Sequence, residues 1–89
     1  MTRAVDVRIT GMVQGVSFRA YARQQAEGLG VAGWVRNEPD GSVAGHFEGP
    51  EAAVDALVEW CRRGPAYAEV DGVEVRGAED TGATGFTVR

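Results

Sequence analysis

The chain contains no lysine, since all nine of its basic residues are arginine. That absence removes the amine of Schiff-base chemistry and the lysine of a nucleotide-binding P-loop, and no GxxxxGK[ST] string occurs. A single cysteine, Cys61, rules out an internal disulfide and suits a reducing compartment. The one histidine, His46, with no C-x-x-C pair beside it, leaves too few ligands for a zinc site, so no metal and no cofactor are expected. There is no run of about 18 apolar residues to span a bilayer, and no N-terminal apolar stretch of the signal-peptide kind. A soluble cytoplasmic chain without a membrane partner is expected. Basic charge is also scarce, with 13 acidic residues against 9 basic and a net charge of −4. That balance disfavours a nucleic-acid partner, because such binding rests on a basic face.

What is present is enough for one small core. The 89 residues, 44% of them hydrophobic, are read as a single domain over 1–89 and, given the small soluble chain, as a monomer. Val5, Val7 and Ile9 alternate with Asp6, Arg8 and Thr10, which marks a half-buried strand. Phe18, Ala22, Ala26 and Leu29 recur at helical spacing, with Ser17 as a candidate N-cap and Gly28 or Gly30 as the stop. Residues 31–37 read as a second strand, Glu38-Pro39-Asp40-Gly41 as a turn, and residues 42–48 as a third strand with Val43, Gly45 and Phe47 on one face. Gly49-Pro50 opens a second helix whose buried stripe is Val54, Leu57, Val58 and Cys61, ended by Gly64-Pro65. Val73 and Val75 mark a fourth strand. After a glycine-rich loop, Phe86 to Arg89 is a short segment able to pair at a sheet edge as a fifth strand. The order βαββαβ predicts an α+β fold: a four-stranded antiparallel sheet with two helices on one face.

Gly11 to Arg19, GMVQGVSFR, lies at the first strand-to-helix junction. Glycines there let successive N–H groups point inward, the first helical turn leaves its donors unpaired, and Arg19 adds a forked cation. Such a segment suits an anion, phosphate above all. Other polar residues have plainer readings. Asn37, closing the second strand in GWVRN, has the ordinary role of starting a turn. Ser17 is a cap, Cys61 a buried structural thiol, and His46 is placed opposite the core as an exposed, passive side chain.

GMVQGVSFR resembles the acylphosphatase signature G-x-V-Q-G-V-x-F-R, and GWVRN resembles that family's second signature, G-W-V-x-N. The DGSV, FEG, EWCRRGP and VDGVEV segments extend the resemblance over essentially the whole chain. It implies a ferredoxin-like α/β sandwich and metal-independent hydrolysis of small acyl phosphates to carboxylate and inorganic phosphate. It also implies that Arg19 and the main-chain amides of Gln14, Gly15, Val16, Ser17, Phe18 and Arg19 hold the phosphoryl group, while Asn37 orients the attacking water. Met12 departs from the polar or basic residue common at its position, which points to an effect on substrate preference. Two rivals on the same fold are an RNA-binding module and a domain feeding a larger carbamoyl-transfer enzyme. The first needs a basic sheet with exposed aromatics, the second several hundred further residues.

Overall fold

Alternation in the first strand sorts its side chains as period two requires: Val5, Val7 and Ile9 are buried, Asp6 and Arg8 face the other way. The computed structural model describes Met1–Arg89. Its elements run β1 (Thr2–Met12), α1 (Phe18–Leu29), β2 (Ala32–Asn37), β3 (Val43–Pro50), α2 (Glu51–Arg63), β4 (Glu69–Gly77) and β5 (Phe86–Val88). Helix α1 buries Phe18, Ala22 and Ala26, while Leu29 stays at the surface. It stops where Gly30 takes a left-handed φ of 75° and its neighbour's N–H reaches back from Val31 to Ala26 O at 2.9 Å. Helix α2 buries the predicted stripe of Val54, Leu57, Val58 and Cys61, with Glu51 in its first turn and two arginines in its last, as the helix dipole favours.

The sheet order is β4-β1-β3-β2-β5. Strand β1 is antiparallel to both β3 and β4, and β2 is antiparallel to β3. The expected four-stranded antiparallel sheet therefore gains a fifth strand, and that strand is parallel: Gly33, Trp34 and Val35 of β2 face Phe86, Thr87 and Val88. The reason is the route of residues 78–85. They leave β4 at one edge, pass the end of the sheet where β1 and β2 begin, and enter β5 running the way β2 runs. Both helices pack on one face, and a cluster of 16 buried residues fills the space between layers. Phe18 meets Trp60 with ring centroids 5.3 Å apart, and Phe47 meets Phe86 at 6.0 Å. Strands β1, β2 and β5 all end, and β3 and α1 begin, at the same end of the sheet. That end holds the cleft.

Candidate active site

A cleft of about 660 Å³ opens there, lined by Val13, Gly15, Ser17, Phe18, Arg19, Ala20, Arg23, Asn37 and Val88. Two glycines of the GMVQG stretch serve it in different ways. Gly11 sits at a β-bulge, where the β1–β4 register slips after Thr10, with φ 119°; a Cβ there would lie 2.2 Å from Glu69 O. Gly15 has φ 75° with open space around it, so what it supplies is backbone freedom, not close packing. Ser17 follows in the same left-handed region, φ 62° and ψ 25°.

This path leaves the amides free. From Val13 to Ala20 no main-chain N–H donates to a main-chain oxygen; the first that does is Tyr21, to Ser17 O at 3.1 Å. Unpaired donors from the loop thus run directly into the unpaired donors of the α1 N-terminus, a concave array suited to an anion. No acidic residue stands in the first turn of α1 to occupy them. Arg19 is fixed beside the array: its Nη1 donates to the main-chain oxygen of Arg89 at 2.8 Å, and Arg89 N donates to Val35 O at 2.8 Å, so the residue directly after β5 holds the guanidinium beside β2.

Asn37 lines the same cleft, exposed, at the last position of β2. One side chain ties its turn to the loop. The Gln14 amide nitrogen donates to Glu38 O at 2.8 Å and to Ser42 O at 2.9 Å, using both of its N–H groups. Glu38 and Ser42 main chains also pair, at 2.8 Å, so the loop after β1 is tied to a turn that is itself closed.

Among the residues expected to form the cradle, the cleft brings together Gly15, Ser17, Phe18, Arg19 and Asn37. Gln14 and Val16 turn their side chains elsewhere, Gln14 to the β2–β3 turn and Val16 against the core. Ser17 occupies the N-cap position but makes no capping hydrogen bond, because its left-handed backbone is not the extended geometry from which a serine caps. Ala20, Arg23 and Val88 also line the cleft. Arg23 carried a signal, its four-residue spacing from Arg19 on one helix face; Val88 carried none, since nothing local places β5 beside β2.

His46 requires the largest correction. It does point away from the helices, but it is only 4% exposed. Its Nδ1 lies 2.7 Å from Asp6 Oδ1, its Nε2 bonds Glu48, and its ring stacks near Trp34. Glu48, also buried, accepts from Thr81 N–H at 3.0 Å, Thr81 Oγ1 at 2.7 Å and Ala83 N–H at 2.9 Å. The glycine-rich segment 78–85 therefore straps down over this end of the sheet. Burial disfavours charge on both side chains, yet the two carboxylates raise the His46 pKa, and bonds from His46, Thr81 and Ala83 hold Glu48 well below the usual carboxylate range. Cys61 is a buried thiol as expected, pushed up to about 12 by burial.

The acylphosphatase family model matches residues 5–88. An acylphosphatase of Nocardioides is 60% identical over 89 residues, covering 100% of this chain and 90% of the relative; one of Rubrobacter xylanophilus is 55% identical, covering 99% and 81%. The solved structure of an acylphosphatase from Coxiella burnetii superposes with a TM-score of 0.95 at 34% identity, covering 99% of this chain and 93% of that one.

Proposed function

The chain belongs to the acylphosphatase family of hydrolases, and we propose that it cleaves the carboxyl–phosphate bond of small acyl phosphates with Arg19, Asn37 and the main-chain amides of the 14–19 loop alone. The observation that carries this reading is the unbroken run of unpaired N–H groups beside Arg19. An acyl phosphate is a mixed anhydride. Its leaving group is a carboxylate, a base weak enough to depart unprotonated, so the cleft's lack of any carboxyl, imidazole or thiol side chain is consistent with the chemistry. Phosphoryl transfer through a loose transition state needs grip and charge stabilisation more than covalent help. Arg19 has one N–H held by Arg89 O, and its remaining donors are free for phosphoryl oxygens. The amides complete the hold on those oxygens.

Asn37 faces the same space from the sheet side, where its amide oxygen accepts from water and aims it along the scissile P–O axis. Asn is a negligible base, so the water proton passes to a phosphate oxygen or leaves after the transition state. The Gln14 clamp keeps the two halves of this apparatus in register. We further propose a cytoplasmic, monomeric, one-domain enzyme that needs neither metal nor cofactor; no helix is long and apolar enough to cross a membrane.

The test is benzoyl phosphate hydrolysis in excess EDTA. Arg19→Ala should lose turnover by about 10²–10³, as removal of an oxyanion donor does, together with affinity for inorganic phosphate. Asn37→Ala should lose most turnover while still binding phosphate. Equal phosphate binding by Arg19→Ala and wild type, or a rate that collapses in EDTA, would overturn the reading.

A further inference from the structure

Arg23 stands one helical turn beyond Arg19 on α1 and lines the same cleft. The two guanidinium side chains are the charged groups of that lining, which contains no acidic residue, although the chain as a whole carries a net charge of −4. Arg19 is committed: the main-chain oxygen of Arg89 pins it beside the amide array, where the phosphoryl group binds on that reading. Arg23 is not. Its Nε donates to Glu27 at 3.3 Å, an i,i+4 pair with the two side chains 53% and 56% exposed. Pairs of that kind are weak and readily exchanged. The cleft is also far larger than a phosphoryl group, so the acyl portion of a substrate has room to extend along α1 from Arg19 toward Arg23.

We propose that Arg23 is a specificity-determining residue that receives a second anionic group, carried at the far end of the substrate's acyl chain. The proposal rests on the acylphosphatase reading of the cleft and adds a substrate class to it: acyl phosphates with a distal anion. Arg23 lies four residues, or about 6 Å at a rise of 1.5 Å per residue, further along the axis than Arg19, a separation that an acyl chain of a few atoms spans. Glu27 competes with that anion for Arg23, so its removal should favour such substrates.

The experiment compares 3- and 4-carboxybenzoyl phosphate, taking the better of the two, with benzoyl phosphate, which has the same reacting bond and no distal charge. The readout is the ratio of their kcat/KM values, so effects on the phosphoryl site cancel. Wild type should favour the carboxylated substrate. Arg23→Gln, which keeps a good helix former on an exposed face, should cut the ratio about fivefold or more, the loss expected for a charge-assisted contact in partial solvent. Arg23→Lys should restore part of it, and Glu27→Gln should raise it above wild type. An unmoved ratio in Arg23→Gln, or a ratio lowered by Glu27→Gln, overturns the proposal while leaving the acylphosphatase reading intact. If wild type hydrolyses neither substrate, the reading of the cleft fails, and this inference with it.

Discussion

At both ends of the sheet main-chain N–H groups are gathered without main-chain acceptors, and the two ends differ in whether the chain supplies another acceptor. Under the strap it is internal: the Glu48 carboxylate takes the N–H groups of Thr81 and Ala83, the Thr81 hydroxyl and His46. In the cleft the donors from Val13 to Ala20 are in place and the chain offers them no carbonyl. The same local physics thus yields stability at one end and binding capacity at the other. Donors satisfied from within hold a loop down. Donors left open have no protein partner to hold the loop down and are available to a ligand on the proposed reading.

The largest way to break this comparison is to delete the internal anion. Glu48→Ala leaves the buried His46 Nε2 without its partner, although Nδ1 keeps Asp6, and removes the acceptor for every side-chain-mediated bond that anchors the strap. We expect a loss of about 3 kcal/mol in unfolding free energy, typical of removing one partner from a buried charged network. Turnover of benzoyl phosphate should remain close to that of the wild type when measured well below the melting temperature, because Glu48 lies at the end of β3 away from the cleft. A variant with intact stability, or one stably folded but inactive, would show that the two ends are not separable as described.

The contrast also explains what could be read from the residue order. The cradle, its two glycines, Arg19 and the helix behind it are contiguous, so their chemistry is legible in one stretch. Asn37 is visible only through a second short motif, and its placement across from Arg19 depends on β1 and β2 ending together. Strand periodicity sorted Val5, Val7, Ile9 and Phe47 correctly because burial on one face repeats every second residue. It also put His46 on the far face, and there the inference to exposure failed. Nothing in Gly-Ala-Glu-Asp-Thr-Gly-Ala reports that its Thr81 and Ala83 will dock on a carboxylate 33 and 35 residues earlier in the chain. The same long-range closure sets β5 parallel to β2 and brings Val88 and Arg89 to the cleft. Local chemistry was readable; contacts made by a crossing segment were not.

A subtler test uses pH. His46 has its pKa raised above the ordinary 6.5, so the stability from its charged form is complete below about pH 6.5 and fades as pH rises through the folded-state value. Glu48 is shifted the other way: its contribution is present above the ordinary 4.5 and fades as pH falls toward its depressed folded-state value. Asp80, exposed on the strap, is pushed up by a hydrogen bond to Glu48 and by that carboxylate's charge, the opposite direction to Glu48. The strap should therefore be held best between about pH 4.5 and 6.5. Wild type should exceed His46→Gln in unfolding free energy by about 1 kcal/mol or more at pH 5.5, the scale of a hydrogen bond to a charged group, and that gap should narrow at pH 9. A gap of constant size would mean that the imidazole serves as a neutral spacer.

The smallest expected effect bears on how the open array is built. Ser17 is the non-glycine residue with positive φ, and its hydroxyl makes no cap bond. If the cradle depends on backbone path alone, Ser17→Ala should change stability by less than about 0.5 kcal/mol, against about 1 kcal/mol for loss of a working cap. Ser17→Gly should then be neutral to stabilising by up to about 1 kcal/mol, since glycine enters the left-handed region without the Cβ clash while adding some freedom to the unfolded chain. Urea midpoints of the two variants decide between these accounts. A costly Ser17→Ala would mean that a side chain props the array open. A neutral one means that Gly15 and the left-handed turn at residue 17 suffice, so that the donors face the cleft because the main chain has no other way to enter α1.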